Sequence, residues 1–186
     1  IGKFIDLGAK SDTERYYSYL DMSSVTEQNF CDIISSSPLV KQINLEAEFN
    51  LDSASYETVI YFNVLEHIFN YTNLINESYR ILKKNGTAHV IVPFMWQYHG
   101  DPDDFNRFTY TGLYRKYTDA GFKSVEITPI GTGRFNVVAM YLSTIFKSKI
   151  YKLNLIRFFR ILQKVEDMFS SNSHHFCLAY YIKATK

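Results

Sequence analysis

Residues 56–65 read Tyr-Glu-Thr-Val-Ile-Tyr-Phe-Asn-Val-Leu (YETVIYFNVL). The run is almost continuously apolar and free of Gly and Pro, which predicts a central strand of a sheet covered on both faces. On its C-terminal side, Thr72–Lys84 sets Leu74, Ile75, Ile81 and Leu82, with Ser78 between them, on one helical stripe. Asn85-Gly86 is the predicted stop, with Lys83 and Lys84 at the negative end of the helix dipole. A strand Thr87–Val92 ends at Pro93 and a polar loop runs to about Thr109. A helix capped at Thr109 or Thr111 then carries Leu113, Tyr117 and Ala120 and closes at Gly121. Ser124–Thr128 and Phe176–Ala184 (FCLAYYIKA) are the last two strands. On the N-terminal side, Lys3–Leu7 reads as a strand ending at Gly8. Ser11 and Glu14 fit a capping box for a helix that turns Tyr16, Tyr17 and Leu20 inward. Gln28–Cys31 and Val40–Leu45 supply two more strands. Strands alternating with helical stretches predict an α/β fold around a mostly parallel sheet. The chain reads as one domain over 1–186, with a helical insertion from 135 to 170 before the last strand.

The 186 residues include 20 Lys and Arg against 19 Asp and Glu, a net charge of +1, so the whole protein is not an electrostatic partner for nucleic acid. That balance is a cancellation. Lys147, Lys149, Lys152, Arg157, Arg160 and Lys164 fall between residues 147 and 164 without an acidic residue, a local +6. Two cysteines cannot form a disulfide framework, and no Cys/His cluster has zinc-ligand spacing, so no metal is expected. The absence of a long apolar run or of a leader-like start reads as a soluble, cytoplasmic protein. The pair His174-His175 reads as a solvated turn.

In an open α/β sheet, ligands bind beyond the carboxyl ends of the strands, so the residues that follow each apolar run are the candidates. After the first strand come Asp6-Leu7-Gly8-Ala9-Lys10, where Gly8 allows close backbone approach. Asp32 stands 24 residues beyond Gly8, near the spacing at which a carboxylate reaches a ribose diol. Asp21 is its rival, but lies too close to Gly8 for a crossover and a strand. After the central strand come Asn63, Glu66 and His67. After the next strand, the segment from Trp96 to Arg107 gathers a Trp, His99, Asp101, Asp103, Asp104 and an Arg.

Together these segments resemble class I S-adenosylmethionine-dependent methyltransferases. FIDLGAKS is similar to the family's first motif, INLEAEF to its adenine-side segment and YETVIYFNVLEHI to its fourth strand. ESYRILKKNGTAHVIVP is similar to its helix end and fifth strand. HGDPDDFNRFTYTGLYRKYTDAGF resembles more particularly a type 11-like bacterial branch associated with surface-polysaccharide synthesis. The resemblance implies a Rossmann-like three-layer sandwich with a mostly parallel seven-stranded sheet and an antiparallel last strand. It implies S-adenosylmethionine as cofactor, with Asp6, Gly8 and Ala9 flanking the methionine moiety, Asp32 the ribose, Asn44 and Leu45 the adenine, and Asn63 the sulfonium region. The chain departs from the family in having one glycine after the first strand, and Asn44 where Asp is common.

Methyl transfer from a sulfonium is an in-line displacement that requires alignment above all. For a hydroxyl acceptor on a small molecule or glycan precursor, His99 is the first expected base, oriented by Asp101 or Asp104, and His67 the second. For an anionic acceptor Arg107 is the orienting cation, with Trp96 in the same loop. A nicotinamide dehydrogenase shares the architecture but would need GxGxxG. A catalytically inactive scaffold of the same fold is the rival from another class. Residues 151–169 predict a basic amphipathic helix with Leu155, Phe158, Phe159, Leu162, Val165 and Phe169 on one face. Such a helix suits a cap, a dimer contact or an acidic membrane.

Overall fold

The computed structural model describes residues 2–34, 37–169 and 175–186; His174 lies outside them. Among the described residues the chain forms β1 (Gly2–Leu7), β2 (Val25–Asp32), β3 (Val40–Gln42), β4 (Tyr56–Phe62), α1 (Tyr71–Ile81), β5 (Leu82–Pro93), α2 (Tyr110–Asp119), β6 (Ser124–Ile130), α3 (Arg134–Ser143), α4 (Lys149–Asp167) and β7 (Ala179–Thr185). The strands make one sheet in the order β3-β2-β1-β4-β5-β7-β6. The first five pair in parallel, and β7 runs antiparallel to both β5 and β6. This is the expected Rossmann-like α/β fold.

The central strand behaves as its composition requires. Tyr56, Thr58, Val59, Ile60 and Tyr61 of β4 are all buried, with alternate residues going to opposite faces. One face packs Val59 and Tyr61 with Leu74, Ile75 and Ile81 of α1 and Leu113 and Tyr117 of α2. The hydroxyls of Tyr61 and Tyr117 meet in that core at 2.7 Å. The opposite face buries Phe4, Phe30, Val40 and Ile60 beneath Tyr16, Tyr17 and Leu20.

The layers are unequal because the first crossover is short. The Ser11–Glu14 spacing predicts a capped helix, whereas the chain makes only a 3-10 turn over Arg15–Tyr19 with Glu14 in the N-cap position. Ser11 Oγ takes the Thr13 N–H at 3.0 Å, a local turn that uses the hydroxyl the capping box needed. Tyr16 and Tyr17 do point inward, donating from their hydroxyls to Asp6 Oδ2 at 2.5 and 2.6 Å.

Helix α1 stops at Ile81 and not at Asn85-Gly86. Leu82 already pairs with Tyr56, and the N–H groups of Ala54 and Ser55 take the carbonyls of Arg80 and Ile81. Sheet pairing therefore ends the helix early, and Lys83 bonds Glu57 instead of capping it. Lys186 fills the role: its Nζ donates to the carbonyls of Tyr79 and Leu82 at 2.7 and 2.8 Å. The cap of α2 is Thr109, whose Oγ1 accepts from the Gly112 N–H, and Gly121 closes that helix with φ of 104°.

The β6–β7 connection leaves from the end of the sheet where β5 finishes, since Ile130 and Ala179 pair and Ala179 also pairs with Pro93. Helices α3 and α4 pack against each other there, with Phe135 and Phe159 ring centroids 6.2 Å apart. The single apolar face expected of α4 is split. Leu155, Phe159 and Leu162 are half-buried, whereas Phe158, Val165 and Phe169 are exposed.

Candidate active site

Strand order reverses between β1 and β4, which opens a crevice at their carboxyl ends. A cavity of about 380 Å³ occupies it, lined by Gly8 and Lys10 after β1, Asp32 to Ile34 after β2, Asn44 to Glu46 after β3, and Asn63, Val64, His67 and Ile68 after β4. Asp101, Pro102, Asp103 and Phe105 complete the wall from the loop after β5. Its size lies within the range of small-molecule clefts.

Each strand end has a local reason for its shape. Gly8 has φ of 100°, and a β-carbon there would overlap Val64 Cγ2, so glycine is required by backbone conformation and by packing. Asp32 is 7% exposed, and its Oδ1 takes the Ile34 N–H at 2.9 Å, which fixes the carboxylate at the end of β2. Asn44 Oδ1 similarly takes the Glu46 N–H, also at 2.9 Å. Asn63 adopts the left-handed region with φ of 54°, and its N–H donates to the Ile91 carbonyl.

Five of the seven residues expected around a cofactor therefore converge: Gly8, Asp32, Asn44, Leu45 and Asn63. The other two do not line this cavity. Ala9 is buried in the core on the second sheet face, and Asp6 is turned toward Tyr16 and Tyr17. Burial pushes the Asp6 carboxyl up to about 7, against the lowering effect of those two hydroxyls. Asp21 precedes β2, at the strand's far end, where its Oδ1 caps the Ser23 N–H.

The loop after β5 is held down by the turn after β4. The Glu66 carbonyl accepts from the Phe105 and Asn106 N–H groups, and His67 Nδ1 lies 2.5 Å from the Asp103 carbonyl. His99 contacts Asp104, which accepts its backbone N–H at 2.9 Å and has Oδ2 3.5 Å from its Nδ1. Arg107 clasps both oxygens of Asp104 and holds that carboxyl down at about 2. Asp104 is thus the aspartate that faces His99. Asp101 instead pairs with Lys10 across the cavity mouth. Arg107 is engaged by Asp104 and by the Gln97 carbonyl, and with Trp96 and Tyr98 it lines a second depression of about 270 Å³.

The sequence places Glu66 in the polar cluster after the central strand but assigns it no role. Its side chain is wholly buried, and burial pushes its carboxyl up to about 7. Among the described residues neither of its oxygens accepts a hydrogen bond, yet Oε1 faces His67 Nε2 at 3.7 Å and His99 Nε2 at 3.5 Å. The only sequence signal was its position beside His67 at the end of the most buried strand.

A family model described as a methyltransferase domain matches residues 15–90. No curated protein matches in sequence. Among solved structures, a SAM-dependent methyltransferase from Archaeoglobus fulgidus is similar with a TM-score of 0.65 at 14% identity, covering 99% of this chain and 86% of that one. Phosphoethanolamine N-methyltransferase 2 of Haemonchus contortus, in complex with phosphomonomethylethanolamine and S-adenosylhomocysteine, is similar with a TM-score of 0.60 at 12% identity. That match covers 100% of this chain and 48% of that one. The [4+2]-cyclase SpnF is similar with a TM-score of 0.62 at 13% identity, covering 99% of this chain and 74% of that one. Residues 15–90 thus match a methyltransferase-domain model, and the chain as a whole shares the fold of these solved structures.

Proposed function

We propose that the protein is an S-adenosylmethionine-dependent methyltransferase acting on an oxygen of a small molecule or glycan precursor. The observation that carries this reading is the convergence of Gly8, Asp32, Asn44, Leu45 and Asn63 on one cavity at the sheet's switch point. The lining fits the cofactor chemically. Ile33, Ile34, Leu45 and Ile68 offer an apolar wall for a base, Asp32 an acceptor for two ribose hydroxyls, and Asn44 an acceptor for an exocyclic amine. With Asp101 paired to Lys10, the carboxylates of Asp32, Glu46 and Asp103 still give the rim a negative character that suits a sulfonium. Ala9, where the family has glycine, keeps its methyl group in the core.

When bound, S-adenosylmethionine supplies a methyl group already activated for displacement. The chain's task is to bind, align and remove a proton. Asp32 and Asn44 hold the nucleoside end. Trp96 and Arg107, in the adjoining depression, bracket the acceptor. His99, oriented by Asp104, receives the hydroxyl proton, with His67 the alternative. Incubation with methyl-labelled cofactor and a panel of sugar nucleotides, lipid-linked saccharides and phosphate esters tests the assignment. Label transfer to a sugar hydroxyl is expected, and transfer only to amines or to none of the panel contradicts it.

No helix among the described residues is long and apolar enough to cross a membrane. The partner surface in this reading is α4, where Ile150, Tyr151, Phe158, Ile161 and Val165 are exposed in the segment that carries the six cations. That combination suits an anionic lipid surface. Co-sedimentation with anionic vesicles at low salt is expected, and failure to pellet excludes it.

A further inference from the structure

We propose that Glu66, His67 and His99 form a binding site for a divalent transition cation, of which Zn²⁺ is the probe, at the rim of the cavity. One donor atom from each of the three lies within 4.8 Å of the others. No spacing motif announces them, because Glu66-His67 follow β4 and His99 belongs to the loop after β5.

Three observations support the site. The first is Glu66. A wholly buried carboxylate whose two oxygens accept no hydrogen bond among the described residues is costly. The residue's backbone carbonyl, and not its side chain, anchors the neighbouring loop, and the Arg107 charge offsets only part of the burial. The second is the orientation of the imidazoles. His67 Nδ1 faces the Asp103 carbonyl at 2.5 Å, and His99 Nδ1 faces the Gln97 carbonyl at 3.3 Å and Asp104 Oδ2 at 3.5 Å. Acceptors at both Nδ1 atoms keep the ring protons there and leave both Nε2 atoms, the ones nearer Glu66 Oε1, free to ligate, the arrangement that outer-shell carbonyls and carboxylates impose on metal-ligating histidines. The third is the spacing. Charge-assisted N–H···O bonds are about 2.7–2.9 Å long, and the Nε2–Oε1 separations are 3.7 and 3.5 Å. They are too long for such bonds but near the roughly 3.4 Å edge of a tetrahedron whose centre lies about 2.0–2.1 Å from each donor. The two rings stand 83° apart with centroids at 5.0 Å.

Two imidazoles and a carboxylate favour Zn²⁺, Mn²⁺ or Fe²⁺ over Ca²⁺ or Mg²⁺, and leave coordination positions for an acceptor oxygen. The use of the cation rests on the methyltransferase reading, whereas its binding does not. A hydroxyl held there would lose its proton to solvent more readily, and His99 would then serve as ligand in the loaded protein and as base in the stripped one.

The test is a calorimetric titration of chelator-stripped protein with ZnCl₂, with bound metal counted after dialysis. One equivalent per chain at micromolar affinity or tighter is expected. Glu66→Gln and His99→Asn should each weaken it at least tenfold. Binding weaker than about 1 mM, or wild-type affinity retained in both variants, overturns the site. If Glu66→Gln fails to fold, His99→Asn, on the loop, carries the comparison alone. The same samples are titrated with S-adenosylhomocysteine. Cofactor binding without zinc binding refutes the cation site and leaves the methyltransferase reading, and zinc binding without cofactor binding does the reverse.

Discussion

Two buried carboxylates lie at the ends of neighbouring strands, Asp6 on β1 and Glu66 just beyond β4. Burial pushes both up to about 7. Their surroundings differ. Asp6 Oδ2 accepts two tyrosine hydroxyls from the turn that covers the second sheet face, so its cost is partly repaid by the fold. Glu66 accepts nothing among the described residues and instead faces two histidines at the cavity rim. Desolvation alone therefore does not mark a functional group. What separates the two is whether the surrounding chain has provided partners, and where it has not, the group is set up for something that arrives from outside.

The comparison can be broken on either side. The largest effect is expected at the rim: His99→Ala should lower kcat by about 10²–10⁴-fold while leaving S-adenosylhomocysteine affinity unchanged, and a variant with near-normal turnover would remove His99 from the reaction. Next is Gly8→Ala, which places a β-carbon at φ of 100° against Val64. A loss of roughly 2–4 kcal/mol in chemical denaturation is expected from strain and overlap together, and Val64→Ala in the same chain should restore the overlap part only. The smallest effect is expected at Asp6. Its folded-state pKa of about 7 lies above the ordinary aspartate value of 3.8, so its contribution is most favourable below pH 4 and is lost as pH rises through 7. Asp6→Asn should raise Tm above pH 7 by about 2–4 °C per kcal/mol relieved, with the gain vanishing near pH 4. Equal gains at both pH values would mean that charge burial is not the cause.

Features with a strong local cause were legible from sequence. The apolar run 56–65 gave away the central strand, Thr109 and Gly121 the bounds of α2, and the spacing from Gly8 brought forward Asp32, which the fold sets in the cavity while leaving Asp21 at the other end of β2. Features decided by competition were not. Asn85-Gly86 is a sound helix stop, but pairing of Leu82 with Tyr56 ends α1 before it is reached. Ser11 has two local partners to choose from, and takes Thr13. Helical spacing puts Phe158 with Phe159, yet only the side of α4 that meets α3 is half-buried. Glu66 is visible in sequence as part of the cluster after β4, but its role is not, because that lies in complete burial and in a histidine delivered by another loop, neither of which periodicity records.

The central claim is that the crevice between β1 and β4 holds S-adenosylmethionine with Asp32 on its ribose, and calorimetric titration with S-adenosylhomocysteine tests it most directly. One equivalent is expected to bind, with a loss of roughly 1.5–3 kcal/mol for each ribose hydrogen bond removed in Asp32→Ala and unchanged affinity in Asp21→Ala. No binding at millimolar cofactor, or weakening by Asp21→Ala with none by Asp32→Ala, would contradict it.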